Sequence, residues 1–293
     1  IERLKSHVKK ISHEIGDRNL FSYSVGKEKH QNYDKLEQAA SYIANQFRSY
    51  GYDTTYQEYK THNLKAKNII AEKSRDPSEE IIIIGAHYDT YYNPGADDNA
   101  SGVAGLLELA RLNAKADKKP KTTIKFIAFT NEEPPFFKTD DMGSRVYVID
   151  AKSRNEIIKA AIILECIGYY SDKSNSQKYP PLFGFFHPNK GNFIGIVGNI
   201  SSGGVVKKLV SGFKKNSSFP IESTVTFGFV PGVDFSDNWS FWKEKYPAVM
   251  ITDTSFYRNK NYHMQTDTYE TLNYECMAEV IKGLFASIIE LAK

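Results

Sequence analysis

The chain has 293 residues, 41% of them hydrophobic and 13% aromatic, enough to bury a full core and build one large domain or two small ones. Its 38 basic and 35 acidic side chains leave a net charge of +3 with no block of like charge, which argues against a nucleic-acid partner. No apolar run approaches the roughly 18 residues that cross a bilayer, so no membrane span is expected, and two cysteines are too few for a disulfide scaffold. The chain opens on Ile1 rather than Met, which fits a precursor that has lost an N-terminal segment. A soluble protein is expected, with the choice between cytoplasm and secretion left open.

Residues 6–16 and 33–50 read as helices; the second carries Leu36, Ala40, Ile43 and Phe47 at three- and four-residue spacing, with Gly51 as its C-terminal cap. The period then changes. Residues 52–59, 67–72 and 80–87 read as strands, and the unbroken run of isoleucines at 81–84 marks a central strand buried on both faces. Alternation follows: helix 101–114, strand 122–131, helix 143–151, strand 160–165, and a last helix over 274–293. The pattern predicts an α/β fold, a single-domain three-layer sandwich over residues 1–293 with a mostly parallel central sheet and helices on both faces. Residues 170–192 and 252–263 read as long loops of the kind that shape a substrate pocket.

Ligands gather where parallel strands end. His87 and Asp89 end one strand, Glu132 and Glu133 the next, and Glu165 a third, while Asp97 and Asp98 precede the helix at Ser101. Singly, each has an ordinary explanation: a hydrogen-bonded histidine, a solvated acid pair, helix-capping aspartates. Jointly they place several carboxylates at buried strand ends, and a divalent cation removes the repulsion among them. Imidazole and carboxylate without thiolate suit zinc or manganese. Two histidines with at least three carboxylates exceed the needs of one ion and fit a pair about 3.5 to 4 Å apart sharing a carboxylate.

The motifs GAHYDT at 85–90, GADDNASG at 95–102, FTNEE at 129–133, LECIG at 164–168, SDNWSFW at 236–242 and YHMQTDT at 262–268 together resemble the zinc-dependent aminopeptidases with a co-catalytic metal pair. Glutamate carboxypeptidase and the animal glutaminyl cyclases are relatives of that family. The resemblance implies two zinc ions per chain, with manganese or cobalt as substitutes, held by His87, Asp98, Glu133, Glu165 and His263. Asp98 would bridge and Glu132 would act as general base toward the attacking water. Asp89 would orient the His87 ring, and Asp237 would stand behind the ligands. The expected partner is a peptide with a free N-terminus.

Two positions depart from the pattern. Glu165 stands where most relatives carry aspartate, which implies a strand set further back or a more weakly held second ion. Asn238 replaces a frequent histidine, and altered substrate contacts are expected there. Tyr257 and Tyr262, on the loop to His263, are further candidates for substrate contact, and a hydroxyl there would stabilise an oxyanion. Cys166 reads as a small core residue. Of the sequons at Asn99 and Asn238, the first is rejected because a glycan beside Asp98 would obstruct the site. The rival readings are a single-zinc glutaminyl cyclase, which would carry tryptophan in place of Tyr262, a carboxypeptidase or dipeptidase, and a receptor-like domain that has lost its metals.

Overall fold

The isoleucine run divides between two cores. Ile82 and Ile84 face one side of the sheet, and Ile81 and Ile83 the other. That alternation is what a strand covered on both faces requires, each buried isoleucine contributing about 1.5 to 3 kcal/mol. The structure is a computed structural model and describes residues 1–20, 28–73, 80–116, 121–181 and 183–293.

Eight strands form one mixed sheet: β1 (Asp53–Thr61), β2 (Leu64–Glu72), β3 (Glu80–His87), β4 (Thr123–Phe129), β5 (Ile157–Glu165), β6 (Ile194–Asn199), β7 (Ile221–Thr226) and β8 (Ala248–Thr252). Their spatial order is β1-β2-β4-β3-β5-β8-β6-β7. The central strands β4, β3, β5 and β8 run parallel, as the alternating pattern predicts. Three pairings are antiparallel: β1 with β2, β2 with β4, and β6 with β8. The β1–β2 hairpin turns on His62 and Asn63, whose φ values of 48° and 62° match the positive-φ pair of a two-residue hairpin turn.

On one face lie α1 (Glu2–Lys9), α2 (Glu28–Ser49), α3 (Gly102–Lys115), α5 (Gly203–Asn216) and α7 (Tyr274–Leu291), which bury Leu4, Leu36, Val103, Leu209 and Met277 in the larger core. On the other lie α4 (Gly143–Ser153) and α6 (Asn238–Lys243), contributing Tyr147, Val148 and Phe241 to the smaller one. The three-layer arrangement expected from the sequence is therefore present. The first helix begins at Glu2 and widens to π-type turns over Lys10–Ile15, and the second begins at Glu28, five residues before the apolar period becomes legible. Residues 170–192 form a loop closed by a bridge between Ser171 and Gly191, with residue 182 outside the described set. No helix among the described residues is long and apolar enough to cross a membrane.

Candidate metal centre

Because β4, β3 and β5 are neighbours and parallel, their carboxyl ends lie side by side. That edge brings together His87 at the end of β3, Glu165 at the end of β5, and Glu132 and Glu133 just past β4. Asp98 arrives from the turn before α3. The turn depends on glycine at two points: Gly95 has φ of 59°, and a Cβ on Gly102 would stand 2.7 Å from the Leu164 carbonyl oxygen. Asn99 fastens the same turn to β5, its amide donating to Leu164 O at 2.8 Å while its Oδ1 accepts from Gly102 N and Cys166 N. His263, with φ of 56°, enters on the loop after β8.

Nε2 of His87 lies 3.2 Å from Oδ1 of Asp98, 3.4 Å from Oε2 of Glu165 and 4.0 Å from Oε2 of Glu132. Nε2 of His263 lies 3.0 Å from Oδ2 of Asp98 and 3.2 Å from Oε1 of Glu133. Two groups result, each with mutually close donor atoms: His87, Asp98 and Glu165, and Asp98, Glu133 and His263. Asp98 belongs to both, one oxygen turned to each.

These residues fit a cation. Both ring nitrogens of His87, Nε2 of His263 and Oε1 of Glu133 are buried with no hydrogen-bond partner, an arrangement that is costly unless another group satisfies them. The charges agree. Burial pushes the Glu132 carboxyl well above the usual range, and burial together with the neighbouring Asp98 charge raises Glu133 to about 7. Burial works against a charged His263, yet the carboxylates of Asp98 and Glu133 outweigh it and hold that ring at about 10. A divalent cation would replace these protons and keep the carboxylates ionised.

Around these donor groups stands a set of buried polar side chains. Asp89 lies 3.6 Å from Nδ1 of His87, too far for a hydrogen bond, and its two oxygens accept the backbone N–H groups of Glu132 and Glu133 at 3.1 Å each. Asp97 accepts from Gly168 N and from Asn259 Nδ2, so it is held within the fold beside Asp98. Asp267 accepts the N–H groups of Asp97 and Asp98 at 3.0 and 3.2 Å and thereby fixes the backbone of Asp98. Arg18, wholly buried, donates to the carbonyls of Tyr88 and Pro94 and ties the end of β3 to the turn. Asp267 lies inside the motif at 262–268, whereas nothing local in the sequence marks Arg18.

Asp237 is wholly buried among the charges of His87, Glu165 and Asp89, and burial raises it to about 7. Asn238, expected to touch substrate, is also wholly buried and donates to Val233 O at 3.0 Å. It sits at the start of α6 and ties the preceding loop to that helix through this hydrogen bond. Burial of Asn99 and Asn238 closes both sequons to glycosylation. Tyr262 stacks on the His263 ring with centroids 4.0 Å apart, and Tyr257 donates to Pro231 O. Both line a cleft beside Glu165. Cys166 is buried, as expected of a small core residue, and its thiol lies 3.2 Å from Oε1 of Glu165.

The chain belongs to peptidase family M28, whose model matches residues 68–288. It is 44% identical to the uncharacterized protein YfbL of Escherichia coli strain K12, over 86% of this chain and 80% of that one. It is 26% identical to a probable aminopeptidase of Saccharomyces cerevisiae, over 88% of this chain and just under two thirds, 66%, of the yeast protein. Its fold superposes on BSAP, a zinc aminopeptidase from Bacillus subtilis, with a TM-score of 0.77 and 15% identity, covering 100% of this chain and 95% of that one.

Proposed function

We propose that this chain is a zinc-dependent aminopeptidase that removes the N-terminal residue of a peptide, acting as one catalytic unit over residues 1–293. Two ions are assigned, one to His87, Asp98 and Glu165 and one to Asp98, Glu133 and His263. The observation that carries the assignment is Asp98, which presents one oxygen to each imidazole at 3.2 and 3.0 Å. When bound, such a pair polarises the scissile carbonyl and acidifies the attacking water.

The protein's own groups do the rest. Glu132, buried and free of a short ion pair, accepts a proton from the attacking water at its carboxylate. The new C–O bond forms, the peptide C–N bond breaks, and Glu132 returns the proton to the departing amine nitrogen. Asp89 fixes the Glu132–Glu133 backbone from beneath, so the base and a ligand move together. The stacked Tyr262 limits rotation of His263. The surplus of carboxylates favours a substrate end that carries an ammonium group, which supports cleavage from the N-terminus.

The test is a panel of aminoacyl and peptide substrates, free or acetylated at the N-terminus, run beside metal analysis of the purified protein. Free substrates should be cleaved, blocked ones spared, and two zinc ions found per chain. Ammonia release from an N-terminal glutamine peptide by protein with one zinc would replace this reading with the cyclase.

A further inference from the structure

Glu165 is paired in register with Thr252, Thr252 with Gly195, and Gly195 with Glu222. Residues so paired project from the same side of a sheet, so these four form one row across β5, β8, β6 and β7. The row faces the side that α4 and α6 cover, since Leu164, Ile251, Ile194 and Ile221 point into the core of the opposite face. Over β6 and β7 no α-helix among the described residues covers this side. Residues 177–181, 183–193 and 230–235 roof it instead, over a cleft whose lining includes all four residues of the row.

One end of that cleft is a metal ligand and the other a second carboxylate. Three strand spacings of about 4.8 Å separate them, roughly 14 Å in all. Between them the floor is Thr252 and the bare backbone of Gly195, and the walls are aromatic, with Tyr179, Phe183, Phe235 and Tyr257 among them. Glu222 uses one oxygen, Oε2, in a 2.9 Å contact with Nδ1 of His187. The His187 ring stacks in turn with those of Tyr179 and Phe183, centroids 5.5 and 6.4 Å away. Oε1 of Glu222 is left for a ligand. Lys178 joins the wall where its backbone N–H donates to Tyr257 O, and it is otherwise exposed.

We infer that this groove receives the side chain of an N-terminal lysine or arginine and that Glu222 determines the specificity. The inference rests on the aminopeptidase reading above. A substrate α-carbon at the metal pair leaves the cleft to its side chain. Lysine's four-carbon stem or arginine's guanidinium arm reaches roughly 6 to 7 Å, and the hydrogen bond and the Glu222 side chain span what remains. Aromatic walls accept the apolar stem and favour a cation over their faces. A leucine side chain would fill the near half and leave Glu222 to water.

The test compares kcat/KM for the p-nitroanilides of lysine, arginine, leucine and phenylalanine on the zinc-loaded protein and on Glu222→Gln, with calorimetric binding of free lysine and leucine to both. Lysine and arginine should lead leucine by about tenfold or more. The variant should lose roughly 10- to 100-fold on the basic substrates, the worth of one charge-assisted hydrogen bond, while leucine and phenylalanine hold steady. Leucine equal to lysine, or a variant that changes all four substrates alike, overturns the inference while leaving the aminopeptidase intact. No hydrolysis of any substrate, with lysine still bound through Glu222, would overturn the reaction and uphold the groove.

Discussion

The Ser236 hydroxyl donates a 2.7 Å hydrogen bond to Oε2 of Glu165, the same oxygen that lies 3.4 Å from Nε2 of His87. The Cys166 thiol stands 3.2 Å from the other oxygen. A glutamate, one methylene longer than aspartate, has an extra rotatable bond, and these two contacts fix where its carboxylate rests. Groups that orient a ligand typically alter metal affinity 10- to 100-fold when removed, by rough order. On the proposed two-ion assignment, Ser236→Ala should therefore weaken one zinc ion by about that factor and leave the other unchanged, read by competition with a chromophoric chelator. Equal weakening of both ions, or of neither, would contradict the role.

Glu132 contributes no close ligand contact, its nearest imidazole nitrogen being 4.0 Å away. Glu132→Gln should lower kcat by about 100- to 10,000-fold, the range for a lost general base. Zinc content should stay at the wild-type level. Full activity in a metal-replete variant would remove Glu132 from the reaction.

Metal uptake should release protons. Without a cation, His263 is held at about 10 and Glu133 at about 7, so at neutral pH the ring is protonated and the carboxyl partly so. Both must deprotonate to bind metal, and apparent zinc affinity should fall as pH is lowered from 8 to 6. Calorimetry in buffers of different ionisation enthalpy should find at least one proton released per chain. A buffer-independent enthalpy would exclude the effect.

His7, on α1, has Nδ1 2.7 Å from the Tyr42 hydroxyl on α2. Burial lowers its pKa from 6.5 to about 4, with the Arg3 and Arg111 cations acting in the same direction. The unfolded chain thus binds a proton between pH 6.5 and 4 that the folded chain refuses. Stability is retained above 6.5 and lost as the pH falls toward 4, by about 3 kcal/mol at most. His7→Gln, which keeps a polar partner for Tyr42 but does not titrate, should flatten that part of the stability profile relative to wild type. Parallel profiles for the two proteins would assign the acid sensitivity elsewhere.

The parallel centre of the sheet was legible because its strands are continuous apolar runs, with β3 predicted to the residue at Glu80–His87. The hairpin of β1 and β2 was legible as two strands, but His62–Asn63 lacks the glycine that usually marks a two-residue turn. Asp89 and Asn238 have further partners that no local signal in the sequence marks. Each side chain satisfies a backbone group brought near by folding, Glu132 and Glu133 N–H in one case and Val233 O in the other.

From the sequence alone came the α/β architecture and the kinds of donor at three strand ends, since periodicity and residue chemistry are local properties. Which donors come within reach of one another depended on the folded chain. Asp98 comes to lie between His87 and His263 only because a glycine-dependent turn and a distant loop meet over the same sheet edge. The row from Glu165 to Glu222 depended on folding still more. It exists because β6 inserts between β8 and β7, antiparallel to the first and parallel to the second, and sets four residues from Glu165 to Thr252 in one register. Such pairings are fixed by loop closure and packing across the whole domain, and no window of sequence contains them.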